Sequence, residues 1–141
     1  MGSGQWSVGN GRWAVERVPV STIRSYRDLQ IWRKGIELVK AVYALTHKFP
    51  QHETYALADQ LRRSSVSVPS NIAEGQARQH TGEFRQFLYM ALGSAAEVDT
   101  QITIAHDLGY ISEPEALDIQ QRVVEIRKMT YTLIARLPRD R

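Results

Sequence analysis

The most constraining feature of this 141-residue chain is a long run of apolar residues that recur every three or four positions. The run comprises Phe84, Leu88, Ala91, Ala95, Val98, Ile102 and Ala105, with steps of 4, 3, 4, 3, 4 and 3. This spacing places every member on one face of an α-helix. It predicts a long amphipathic helix, with Thr81 as its N-cap and Gly109 as its C-cap, that must pack against other elements.

A first helix, predicted from Tyr26, carries two adjacent apolar stripes. One stripe comprises Leu29, Trp32, Ile36, Val39 and Tyr43, and the other comprises Ile31, Leu38, Val42, Leu45 and Phe49. Together they cover nearly half of the helix surface, whereas contact with one neighbour needs a single stripe. This helix is therefore predicted to lie deep in the fold or to contact more than the core.

The stretch RRSSVSVPSNIAEGQAR, residues 62–78, alternates polar and apolar residues briefly, as a strand does. A helical phase nevertheless runs through it from Thr54, since Ala58, Leu61, Ser65, Val68 and Ile72 step by 3 or 4. An interior proline disfavours a helix by roughly 3 kcal/mol. A second helix that is kinked near Pro69 is favoured, and a break between two elements remains the alternative.

A fourth helix is predicted after Ser112, an N-cap residue with Glu115 as its capping-box partner, and Pro138 marks its end. The predicted fold is all-α, an antiparallel up-and-down four-helix bundle over residues 25–138. Residues 1–24 and 139–141 are predicted to be tails. In the first tail, Trp6 and Trp13 are either incidental or part of an arm that docks on a neighbour.

Several classes of protein are excluded by what the sequence lacks. There is no cysteine and no apolar run of about 18 residues, so disulfides and membrane spans are excluded. The N-terminus does not resemble a secretory signal, and a cytoplasmic location is expected. Glu-x-x-His pairs, Gly-x-Ser-x-Gly and a phosphate-binding glycine loop are all absent. No enzymatic activity, cofactor, metal or small-molecule substrate is predicted.

Charge gives only a weak indication of a polyanionic partner. The net charge is +3, but it falls to +1 after residue 24, and nucleic-acid-binding domains usually show a clearer excess. The candidate contacts to nucleic acid or to a partner are Arg62, Arg63, Arg78, Arg85, Arg122 and Lys128. The candidate inter-helix or inter-subunit polar contacts are Asp59, Asn71, Glu74 and Glu97. The serines of residues 64–67 are interpreted as a small packing face.

Three blocks, YRDLQIWRKGIELV, ADQLRRSSVSVPSNIAEG and EFRQFLYMALGSAAEVDTQI, resemble a known family in their order and spacing. It is the family of bacterial four-helix-bundle proteins encoded by intervening sequences in large-subunit ribosomal RNA genes. The family is similar to the accessory variability protein of diversity-generating retroelements, which binds nucleic acid and a reverse transcriptase. The resemblance implies a ring-like homopentamer without enzymatic activity, and an RNA-related role is supposed for this branch.

The sequence therefore predicts a non-catalytic homo-oligomeric scaffold, pentameric by resemblance, that binds RNA or a ribonucleoprotein. The extra apolar face of the first helix and the small-residue faces of the second and third favour oligomerisation. The near-neutral bundle departs from the strongly basic retroelement protein, which weakens the expectation of nucleic-acid binding. The alternative is an adaptor that recruits a partner enzyme such as a reverse transcriptase, and a small-molecule enzyme is the third hypothesis.

Overall fold

The computed structural model describes residues 23–139. This part of the chain forms four helices, α1 (Gln30–Thr46), α2 (Leu57–Ala77), α3 (Thr81–Asp107) and α4 (Glu113–Arg136), and contains no strand. Single turns of 3-10 helix, Tyr26–Asp28 and Gln51–Glu53, precede α1 and α2. The prediction of an all-α four-helix bundle is confirmed. The predictions for residues 1–22, including Trp6 and Trp13, lie outside the described residues.

Side-chain contacts show how the helices are arranged. Helix α1 contacts α2 and α4, and α3 contacts the same two helices from the opposite side. Residue numbers rise along one helix as they fall along its neighbour, so neighbouring helices run in opposite directions. Between α1 and α2 the pairs are Gly35–Pro69 and Thr46–Arg62, and between α2 and α3 they are Ser67–Ser94 and Ser64–Gln101. Between α3 and α4 they are Arg85–Leu137 and Thr103–Gln120, and between α1 and α4 they are Lys34–Glu125 and Lys48–Glu115.

The core is built from the apolar stripes that the sequence shows. The whole α3 stripe is buried, and so is the α1 stripe that contains Ile31, Leu38 and Val42. Fully burying one such side chain stabilises the fold by about 1.5–3 kcal/mol, so these stripes hold the four helices together. The other α1 stripe is only partly covered beyond Leu29, which leaves apolar surface on the outside of the bundle.

Helix α2 continues through Pro69 without interruption, so the alternative of a break between two elements is wrong. Pro69 is buried against α1 at Gly35, where an added Cβ atom would lie 3.1 Å from the proline Cβ. The glycine thus lets α1 approach the proline ring closely, and this packing offsets part of the cost of an interior proline. The predicted kink stays a prediction.

The helix ends match the sequence reading in part. Ser112 caps α4 and forms the predicted capping box with Glu115. Thr81 is wrong as the N-cap of α3, because His80 occupies that position and gives no side-chain cap. Helix α3 ends at Asp107 with Leu108 as its C-cap, so Gly109 is wrong as the C-cap; it lies one residue further on, with a positive φ of 80°. Helix α2 begins at Leu57, three residues later than its periodic pattern.

Candidate interaction surfaces

An apolar surface runs along the outside of the bundle between α1 and α2. We call it the α1–α2 apolar surface, and its members are Trp32, Ile36, Val39, Tyr43, Val66, Pro69 and Ala73. All of them except Tyr43 line a groove of about 490 Å³, and Tyr43 lines a neighbouring groove of about 480 Å³ together with Val66. Tyr43 and Val66 are 43% and 40% exposed, which is high for large apolar side chains beside a packed core. This is the second α1 stripe of the sequence, joined by residues of α2.

Cationic side chains lie at the two ends of this surface. At one end the Arg62 guanidinium carbon lies 5.5 Å from the Tyr43 ring centroid, while its Nε donates to Thr46 Oγ1 at 2.9 Å. At the other end the Arg27 guanidinium lies 5.2 Å from the Trp32 ring and 5.7 Å from the Tyr26 ring. Such cation–π contacts hold the arginines against the surface without covering its centre.

The small-residue faces of α2 and α3 pack against each other inside the bundle. Ser94 donates to the Ser67 hydroxyl at 2.9 Å, and Ser64 donates to Gln101 Oε1 at 2.5 Å. Ser65 is fully buried and donates to the Arg62 carbonyl at 2.8 Å. These serines are packing residues, as interpreted from the sequence. Because the small-residue faces of α2 and α3 fill each other within one chain, these faces no longer favour contact with a second copy.

The six cations predicted to contact a partner do not converge on one site. Three of them form ion pairs within the same chain: Arg63 with Asp59, Arg78 with Glu74 and Glu83, and Arg122 with Asp118 and Glu37. Arg85 donates to the Pro138 carbonyl at 2.8 Å. Arg62 lies in the α1–α2 groove, and Lys128 is exposed on α4. Their role in binding stays a prediction.

The predicted polar contacts between helices are mostly made within α2. Asp59 accepts from Arg63 at 2.9 Å, Glu74 accepts from Arg78 at 3.0 Å, and Asn71 donates to the Ser67 carbonyl. Glu97 is exposed on α3. A contact of these residues across a subunit boundary stays a prediction.

Charge is segregated between the two ends of the bundle. We call residues 23–33, 71–87 and 134–139 the basic end, because they contain seven arginines and three carboxylates, which gives a formal net charge of +4. We call residues 44–63 and 101–120 the acidic end, because they contain six carboxylates and three cations, which gives a formal net charge of −3. The arginines of the basic end are Arg24, Arg27, Arg33, Arg78, Arg85, Arg136 and Arg139. Sequence reasoning missed this polarity, since each helix contributes to both ends.

A cavity of about 440 Å³ opens at the basic end. Its floor is apolar, formed by Phe84 and Leu137, which are 6% and 5% exposed, and by the partly buried Ile23. Its rim is polar, and it comprises Arg24, Gln76, Gln79, His80 and Thr81. Gln79 has a positive φ of 63°, which is uncommon for a residue other than glycine.

At the acidic end, hydrogen bonds and an ion pair tie the loops to the helices. Tyr110 donates its hydroxyl to Glu53 Oε2 at 2.7 Å, which raises the pKa of Tyr110 and lowers the pKa of Glu53. Lys48 pairs with Glu115. The hydrogen bond from Lys48, together with the hydrogen bonds between Glu115 and Ser112, lowers the Glu115 pKa to about 2. These carboxylates are therefore occupied within the subunit.

A second apolar stripe lies on the outer side of α4. Leu117, Val124 and Tyr131 are spaced seven residues apart and are 46%, 40% and 49% exposed. Seven residues are close to two helical turns, so the three side chains share one face. We call this the outer α4 stripe.

Neither a metal-binding cluster nor a membrane-spanning helix occurs between residues 23 and 139. His, Asp and Glu side chains there form no group of three or more that could hold a metal ion. Over the same range, no helix combines the length and the apolar character needed to cross a bilayer.

Residues 23–139 thus define an all-α four-helix-bundle protein with exposed apolar and basic surfaces. More particularly, the chain belongs to the 23S rRNA-intervening sequence protein family, whose model matches residues 27–132. It is similar to a protein of unknown function from the S23 ribosomal protein family of Bacteroides thetaiotaomicron VPI-5482, with a crystal structure at 1.70 Å. That likeness has a TM-score of 0.69 at 23% identity and covers 74% of this chain and 97% of the other, so it supports the fold alone. Among curated proteins, none matches.

Proposed function

We propose that this protein is a non-catalytic homo-oligomeric scaffold that carries RNA or a ribonucleoprotein. The observation that supports it best is the α1–α2 apolar surface. Five subunits is the number that the family resemblance implies. The family has no established function, so the proposal rests on the surfaces of this chain.

The α1–α2 apolar surface has the anatomy of a subunit interface. From Trp32 to Tyr43 it extends about 16 Å along α1 at 1.5 Å per residue. Its seven members are apolar, and the guanidinium groups of Arg27 and Arg62 lie against its end residues Trp32 and Tyr43. An apolar centre inside a polar rim is typical of stable interfaces. We assign the surface to a second copy of the chain, because identical copies are always available at matched concentration and form closed symmetric assemblies.

RNA as the cargo is supported by the basic end. A cyclic assembly repeats the net charge of +4 once per subunit, and the summed field exceeds that of one bundle. Phosphate contacts by arginine supply most of the sequence-independent affinity for nucleic acid. The near-neutral total charge of the bundle is compatible with this role because the opposite charges lie at the other end.

The non-catalytic part is supported by the state of the candidate nucleophiles. The Ser64 hydroxyl donates to Gln101 Oε1, and the Ser65 hydroxyl donates to the Arg62 carbonyl. A serine nucleophile instead needs a hydrogen-bonded base that accepts its proton. These serines therefore stabilise α2 rather than carry out chemistry.

Light scattering coupled to size exclusion tests the scaffold with a matched pair of variants. Val66 and Val124 are both 40% exposed on helices, but only Val66 belongs to the α1–α2 apolar surface. Val66→Glu places a carboxylate in the proposed interface, and we expect it to lower the mass to the 16.1 kDa subunit. Val124→Glu is expected to keep the multimeric mass of the wild type. A monomeric wild type at micromolar concentration would contradict the scaffold.

The adaptor function remains the second candidate, favoured by the outer α4 stripe. Its apolar side chains repeat every seven residues, as expected for a face that receives a partner helix. A purified reverse transcriptase is the probe, and binding that survives nuclease would support the adaptor. Val124→Glu should abolish that binding while Val66→Glu should not. The relationship to the retroelement accessory protein stays a prediction.

A further inference from the structure

We infer that the cavity at the basic end holds one nucleotide of a single strand of nucleic acid, with the surrounding arginines contacting its phosphates. This inference rests on the proposed function in taking RNA as the strand. It does not require the oligomer, because one subunit contains the whole cavity. It also replaces the predicted contacts Arg62, Arg63 and Arg122, which lie away from this end.

The charge of the basic end fits a polyanion. Its three carboxylates are already engaged: Glu74 and Glu83 pair with Arg78, and Asp28 accepts from the backbone N–H groups of Arg24 and Ser25. The Arg27 guanidinium rests on aromatic rings, and Arg33 Nη1 donates to the Arg27 carbonyl. Two of the three carboxylates pair with Arg78 alone, so the formal net charge of this end stays at +4.

The chemistry of the cavity fits an unstacked base. A base has apolar faces and hydrogen-bonding edges, and proteins that read single strands supply aromatic faces and polar groups around them. Phe84 and Leu137 offer the apolar floor, while the Gln76 and Gln79 amides and the His80 ring can bond the base edge. Arg24 is exposed on the same rim and can reach the adjoining phosphate. A volume of about 440 Å³ lies within the usual range for small-ligand sites.

The acidic end of a neighbouring copy is the main competitor for this surface. Its carboxylates are poor partners because four of the six are occupied within their own subunit. Asp59, Asp118 and Glu115 pair with cations, and Glu53 accepts from Tyr110. Nucleic acid is therefore favoured.

Fluorescence anisotropy with labelled single strands of about 12 nucleotides tests the inference on the full chain, with RNA and DNA of one sequence as two arms. We expect binding at about 50 mM salt that weakens steeply by about 200 mM. Arg24→Gln should weaken binding at least threefold and reduce the log–log salt slope by about 0.7 for one lost phosphate contact on a single strand. Arg63→Gln at the acidic end is the matched control and should leave both values unchanged.

Cross-linking of RNA that carries 4-thiouridine locates the base. Trypsin releases residues 79–85, QHTGEFR, which hold Gln79, His80, Thr81 and Phe84 from the cavity. We expect the cross-link in this peptide, and circular dichroism should show that Arg24→Gln melts as the wild type does. Cross-links confined to other peptides would overturn the site while leaving RNA as the cargo. Absence of binding by either strand at low salt would overturn both the site and RNA as the cargo. If Arg24→Gln changed the assembly mass and left the RNA affinity unchanged, the basic end would instead be assigned to contact with a second copy.

Discussion

Two glycines in helix interiors are expected to respond to the same substitution with opposite signs. Gly75 in α2 faces α3, and a Cβ atom added there would lie 2.6 Å from Phe87 Cβ and 3.1 Å from Phe84 Cδ1. Gly93 in α3 is exposed, and an added Cβ atom would meet nothing within 4 Å. Gly75→Ala should therefore destabilise the fold, whereas Gly93→Ala should stabilise it.

The magnitudes follow from two opposing effects. Alanine is better than glycine inside a helix by about 1 kcal/mol, and Gly93→Ala gains this amount in full. Gly75→Ala gains it too, but the new methyl group collides with an atom one bond from the α3 backbone, so a helix must move rather than a flexible tip. Overpacking of this kind typically costs about 1–3 kcal/mol, which leaves a net loss of up to about 2 kcal/mol.

Urea denaturation followed by circular dichroism measures both changes at one protein concentration. The expected result is a midpoint above the wild type for Gly93→Ala and below it for Gly75→Ala, with unchanged m-values. A stabilising Gly75→Ala would refute the close approach of α2 and α3 at Phe87. A destabilising Gly93→Ala would show instead that this exposed position is covered in solution.

Two further perturbations test local features of the fold. Gln79→Gly removes a side chain from a left-handed position after α2, so it should raise the unfolding free energy by about 0.5–1 kcal/mol in urea melts, while Gln79→Ala should not. The Glu115 pKa is lowered from 4.5 to about 2, so its stabilisation is complete above pH 4.5 and is lost as the pH falls towards 2. The urea midpoints of Glu115→Gln and wild type should therefore differ at pH 7 and converge near pH 2. Equal midpoints at pH 7 would contradict the Lys48–Glu115 pair.

The fold could be predicted from the sequence because helical burial is a local, periodic property. Each stripe identified its own helix, and the capping box at Ser112 identified a helix start. Where the sequence left alternatives open, long-range packing decided the outcome. Pro69 is accommodated by Gly35, which lies on a different helix and 34 positions earlier in the chain. The small face around Ser67 was a correct packing prediction, but sequence could not show that Ser94 of the same subunit fills it.

The candidate sites were harder to predict because they depend on proximity between distant segments. Arg62 and Arg63 look like a basic cluster in sequence, yet Arg63 is neutralised by Asp59 one turn away. The basic end draws its arginines from all four helix termini, which single-sequence charge counts average away. A charge count that grouped the helix termini expected to meet at one end of an antiparallel bundle could have found this polarity. The cavity could not have been found, since its lining combines the start of the described chain with α2, α3 and the end of α4.

The two proposed surfaces can act together because they do not share a residue. The α1–α2 apolar surface lies along the side of the bundle, and the cavity opens at its end. Cyclic symmetry orients every subunit alike, so subunits packed side by side with their bundles along the axis would present all basic ends on one face. A strand crossing that face would meet one cavity per subunit, and affinity would grow by multivalency. The Val66→Glu monomer should then retain the dependence of RNA binding on Arg24 while losing the gain in affinity that the assembly provides.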